Sequence, residues 1–188
     1  MRHDRRAPGR SPNPSGWRKE DETRARFAQL AKSADMGAHT RAEIWYATRR
    51  ALLAFKVNAT QQKLLEALMF RTFECDWQQG SRPIVWLSNA ALARAAGLCV
   101  SASCVRASLA ALARMGFISY QDSGNCRRAG DRDEKGRIIF AYGIDLSVLE
   151  ARYDELSAVA EAHEAAVAEL AEARTVVQKL RRSIPAYL

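Results

Sequence analysis

The 188-residue sequence is poor in histidine and cysteine, with three and four respectively. Cys75, Cys99, Cys104 and Cys126 form no C-x-x-C pair, and no histidine lies at zinc-finger spacing from them, so no metal site is expected. They read as reduced thiols of a cytoplasmic protein, some buried as small apolar groups. His3, His39 and His163 are scattered, and none has a nucleophile or paired acid beside it. Neither G-x-x-x-x-G-K-S/T nor G-x-G-x-x-G occurs, so there is no phosphate-cradling loop. No apolar run approaches the ~20 residues of a membrane span. The basic N-terminus has no apolar segment behind it, which argues against a secretory signal. The chain therefore reads as a non-enzyme with no cofactor and no membrane partner.

Cations, by contrast, are plentiful. Lys plus Arg number 29 against 21 acids, with a pI near 9.7. Such an excess favours a polyanionic partner, because each cation that neutralises a phosphate releases a counterion. Hydrophobic residues reach 48%, enough for a folded core. Residues 1–20 hold Arg2, Arg5, Arg6, Arg10, Arg18 and Lys19 among three prolines, and read as a disordered basic tail. The next segment, 21–146, reads as one mainly α domain. Residues 147–184 read as a long amphipathic helix.

Within 21–146 the spacing predicts helices over 21–33, 40–55 and from Asn58 or Thr60 to about Phe73. A polar loop with Gly80 and Pro83 leads to an apolar strand, Ile84–Leu87. Ser88 or Asn89 can cap a short helix over 90–96, and Gly97 falls where a helix C-terminus needs positive φ. Leu98 can anchor the turn. Ser101 or Ser103 opens a second helix to Met115, ended by Gly116, with Val105, Leu109 and Leu112 inward. This is a helix-turn-helix. Strand-like runs at 117–121 and 137–144, joined by a polar loop, supply a wing. The expected fold is a winged helix-turn-helix.

Reading of duplex DNA by this motif uses the outer face near the start of the second helix: Ser101, Ser103, Cys104, Arg106 and Ala107. Arg106 suits a bidentate guanine contact, and the serine hydroxyls suit phosphates or base edges. In the wing, Asn125, Arg127, Arg128, Arg132 and Arg137 are candidate phosphate or minor-groove contacts. Asp131, Asp133 and Glu134 interrupt that positive field.

In the C-terminal segment, Ser147 with Glu150 has capping-box spacing, and no Pro or Gly follows until Pro185. Leu149, Tyr153, Leu156, Ala160, His163, Val167, Leu170, Val177 and Ile184 fall on a three-four repeat that also takes in Arg174 and Arg181. That stripe suits a homodimeric coiled coil or a helix lying across the domain. Its charge runs from acidic to basic, which would let two antiparallel copies pair.

The run Ile84-Val85-Trp86-Leu87-Ser88-Asn89-Ala90-Ala91-Leu92-Ala93-Arg94-Ala95-Ala96-Gly97 resembles the I-V-F-P-S-N-x-x-L-x-x-R-A-x-G segment of replication protein C, the initiator family of repABC-type plasmids. Ser103-Cys104-Val105-Arg106 with Leu109-Ala110-Ala111-Leu112 is similar to that family's S-T-L-R-R-H-L-A-A-L helix. Asp122-Ser123-Gly124-Asn125 resembles its D-S-P-N turn, and Tyr142 to Ser147 its F-G-F-D-L-S. The resemblance implies a winged-helix initiator that binds a plasmid origin lying within the initiator's own gene. It departs at Ala107 and Ser108, where the family often has Arg and His. Family members usually continue into a second, C-terminal domain, whereas this sequence ends at Leu188. Two other functions remain open on the residues alone: a winged-helix transcriptional regulator, and a non-DNA protein-interaction module.

Overall fold

A computed structural model describes residues 22–124 and 127–183. The expected basic tail over 1–20 lies outside them, as do Asn125, Cys126 and Ile184. Among the described residues, seven α-helices and four strands follow in the order α1 (Glu22–Lys32), α2 (Arg41–Ala51), α3 (Ala59–Met69), β1 (Ile84–Val85), α4 (Asn89–Ala95), α5 (Ala102–Arg114), β2 (Ser119–Gln121), β3 (Ala129–Arg132), β4 (Ile138–Asp145), α6 (Ser147–Ala151) and α7 (Tyr153–Ser183). The fold is mainly α with a small β wing, as expected.

Local chemistry sets the helix starts. Thr40 and Asn58 each close a capping box, with Glu43 and Gln61 three residues on. Ser88 Oγ accepts from the Ala91 N–H (3.2 Å) and Ser101 Oγ from the Cys104 N–H (3.2 Å), satisfying donors that a helix leaves open. The ends of α4 and α5 are equally defined. Gly97 (φ 64°) and Gly116 (φ 73°) take the left-handed conformation. The N–H groups of Leu98 and Phe117 then reach back to the carbonyls of Ala93 and Leu112, as in a Schellman turn.

Helix α3 packs on both α4 and α5, making a three-helix unit with β1 between its first two members. Leu64, Leu65, Leu68, Leu92, Val105, Leu109 and Leu112 are buried there. Strand β4 organises the sheet. Its C-terminal end lies between β1 and β2, with Asp145 opposite both Ile84 and Ser119. Its N-terminal half pairs with β3 from Ala129↔Tyr142 to Arg132↔Ile138. The β3–β4 hairpin turns at Asp133–Gly136, where Asp133 Oδ1 accepts from the Lys135 (3.0 Å) and Arg137 (2.8 Å) N–H groups. Strand β3 falls in the stretch that reads as loop from sequence.

Four other expectations change. Helix α2 ends at Ala51 rather than 55, and α3 at Met69 rather than Phe73. The single helix expected from Ser147 is two, parted at Arg152 (φ −111°, ψ 12°). The Arg152 guanidinium is buried and donates to the carbonyls of Met115 (2.9 Å) and Gly116 (2.7 Å), acceptors left open at the end of α5. The capping box of Ser147 and Glu150 does not form. Asp145 Oδ1 accepts from the Ser147 N–H (2.9 Å) instead, and Glu150 turns to His39 (3.0 Å to Nδ1), whose ring stacks on Tyr153.

Candidate nucleic-acid interface

The N-terminal outer face of α5 is open. Ser101, Ser103, Arg106 and Ala107 are exposed, and Cys104 is half-buried. Ser101 spends its hydroxyl on the helix cap and lies 2.8 Å from the Ser103 hydroxyl. Arg106 has no ion pair or hydrogen bond from its side chain among the described residues. Val105, Ser108, Leu109 and Leu112 face inward, which fixes the rotation of α5 and therefore which residues it presents. The structure thus brings Ser101, Ser103, Arg106 and Ala107 together on one presented surface. The N-terminal end of α5, whose helix dipole favours an anion, lies at the same surface.

The wing cations divide in a way the sequence did not indicate. Arg127 is exposed, and its backbone is held by Ser123, whose Oγ accepts from the Arg127 N–H (3.0 Å) and donates to its carbonyl (2.8 Å). Arg128 is half-buried and donates to the Leu87 carbonyl (2.7 Å), just before the cap of α4. Arg137 is 62% exposed and pairs with Asp133 (2.9 Å). The Arg137 N–H, first, and then its side chain hold the Asp133 carboxyl below its ordinary value. Asn125 lies outside the described residues.

Arg132 is engaged elsewhere. It is 17% exposed and forms a bidentate pair with Asp76 (2.7 Å on each arm), which is 1% exposed. Its guanidinium also lies 4.2 Å from the Phe73 ring centroid and 5.4 Å from that of Trp86. The arginine that reads as a phosphate contact therefore ties β3 to the short 3₁₀ turn Glu74–Trp77. Gly130 belongs to the same clamp. A Cβ there would come within 2.5 Å of the Trp86 ring, so the hairpin can approach Trp86 only with glycine at this position. Nothing in the sequence spacing links Asp76 to Arg132, which are 56 residues apart.

A second ion pair, between half-buried Arg82 and buried Asp145, supports the base of the sheet. Arg82 donates to Asp145 (2.6 Å) and to the Ala31 carbonyl (2.9 Å), joining the approach to β1, the end of β4 and α1. Burial pushes the Asp145 carboxyl up, and the Arg82 charge opposes that. Among the described residues, no group of three or more His, Cys, Asp or Glu could hold a metal ion. None of the helices described is long and apolar enough to cross a membrane.

A helix-turn-helix with a strand before it, an antiparallel wing behind it and an open face on its second helix defines a winged helix-turn-helix protein. The chain belongs to the replication protein C family: the model of the replication protein C N-terminal domain matches residues 18–188. It is also 35% identical over 132 residues to a Rhizobium rhizogenes protein titled "Putative replication protein C". That match covers 68% of this chain and 32% of the relative, so the chain spans about a third of the relative's length. No solved structure matches.

Proposed function

We propose that this chain binds double-stranded DNA sequence-specifically and serves plasmid replication initiation at an origin. Helix α5 enters the major groove with Ser101, Ser103, Cys104, Arg106 and Ala107 toward the bases, and Arg106 reads a guanine edge. Arg127 and Arg128 lie on the wing side of the same contact, with Arg137 at its outer end. Arg132 acts as a tether for the wing and does not touch phosphate. The supporting observation is the pairing of an exposed, partnerless Arg106 on the open face of α5 with membership of this family. This function calls for no catalytic group.

The test is fluorescence anisotropy with duplexes tiled across the protein's own gene and upstream DNA, at ~150 mM salt with random duplex as competitor. Competitor-resistant binding inside the coding region is expected. Binding confined to a promoter would replace initiation with transcriptional regulation. No specific binding anywhere would replace both with a protein-interaction role.

A further inference from the structure

C-terminal to the Arg50–Glu164 ion pair (2.7 Å), every residue of α7 from Glu164 to Arg182 is exposed. Residues 165–183 extend about 28 Å at 1.5 Å per residue. Most helical stability in proteins comes from packing of an apolar face, and this arm shows Leu170, Val177 and Leu180 at 53%, 49% and 59% exposure.

The stripe traced from sequence runs through Arg174 and Arg181. A second three-four stripe diverges from it: Leu156, Val159, His163, Ala166, Leu170, Ala173, Val177 and Leu180. Every position is apolar except His163; Leu156 is buried, Val159 and His163 are half-buried, and the positions from Ala166 to Leu180 are exposed. At 100° per residue, Glu169 and Arg174 lie on opposite shoulders of this seam. Glu169 has no basic residue three or four places away, and Arg174 has no acidic one. Neither has an ion-pair partner among the described residues.

In a parallel, in-register pair of helices, a shoulder residue faces the residue five places on in the other helix. Glu169 then meets Arg174 of the second copy, twice per dimer. In an antiparallel pair like shoulders face each other, and the two charges do not meet. We infer that residues 163–180 form a parallel, in-register coiled coil with a second copy of this chain. The two winged-helix units then sit at one end of the stalk, related by a two-fold axis. If the DNA-binding reading above holds, the target is an inverted repeat; the coiled coil itself does not depend on that reading.

The test uses the full chain without DNA. Sedimentation equilibrium from roughly 1 to 200 µM is expected to show a reversible monomer–dimer equilibrium. E169R and R174E each convert two attractive pairs to repulsive ones and should weaken association about tenfold or more. The double exchange E169R/R174E should restore it to within about threefold of wild type. L170D should abolish it. The exposed arm contributes no core contact, so each variant should keep the wild-type melting of the domain by circular dichroism. A strict monomer at the highest concentration overturns the inference and leaves the stripe to a different protein. A dimer indifferent to the single charge reversals, or not restored by the double exchange, overturns the parallel geometry.

Discussion

Replacing Asp76 with alanine should loosen the wing's attachment and leave α5 intact. The Asp76 carboxylate is 1% exposed and accepts both arms of the Arg132 guanidinium at 2.7 Å. It also accepts the Phe73 N–H at 2.8 Å. Removing one partner of a buried pair typically costs about 3–5 kcal/mol, because the other charge is left unpaired. Arg132 is 17% exposed and keeps its contact with the Gly136 carbonyl and its stacking on Phe73, so part of that cost is relieved. About 2–3 kcal/mol should remain, or roughly 5–10 °C in Tm for a chain of this size. Asp76→Asn retains one acceptor and should cost about 1 kcal/mol less. Urea unfolding followed by circular dichroism measures both, and the Asp76→Ala/Arg132→Ala double mutant gives the coupling. Asp76→Ala within ~0.5 kcal/mol of wild type would refute the tether. So would an Arg132→Ala variant of unchanged stability whose only defect is a shallower salt dependence of DNA binding; that result would return Arg132 to the phosphate backbone.

Gly116→Ala should destabilise the protein by about 1–3 kcal/mol, since φ is 73° and an added Cβ would meet the Phe27 ring and Arg152 Nη1; thermal melting checks this. The Arg152 side chain, as hydrogen-bond donor, holds the Glu155 carboxyl below its ordinary value. A carboxyl depressed in the folded state contributes stability above its unfolded value of about 4.3, and loses it as pH falls through the lower folded one. Glu155→Gln should therefore flatten the acid limb of the stability–pH curve measured by urea unfolding, and an unchanged limb would contradict the assignment. Arg127→Ala should weaken binding to all duplexes alike and reduce the salt slope by about one, whereas a loss confined to one sequence would make it a base contact.

The parts of this fold that can be read in the sequence are those fixed by neighbours in the chain. Ser88, Gly97, Ser101 and Gly116 mark the helix-turn-helix because caps and left-handed turns act over three or four residues. The open face of α5 follows from the inward stripe of Val105, Leu109 and Leu112. What escapes the sequence is set from a distance. Strand β3 reads as loop because Ala129–Arg132 carries no apolar alternation; its conformation comes from pairing with β4 and from the contact of Gly130 with Trp86. The break at Arg152 has no Pro or Gly to announce it, and its cause is the pair of carbonyls at the end of α5. Arg132 and Arg127 look alike in sequence. Only the fold brings Asp76 to one of them.

Base reading by α5 through Arg106, proposed above, is tested by the affinity of wild type and Arg106→Ala for a specific and a random duplex at ~150 mM salt. A lost bidentate guanine contact removes about 1–3 kcal/mol of discrimination, so specific binding should fall roughly 5- to 150-fold, with random-duplex binding and Tm nearly unchanged. Equal loss on both duplexes, or no loss on either, would mean that Arg106 does not read a base.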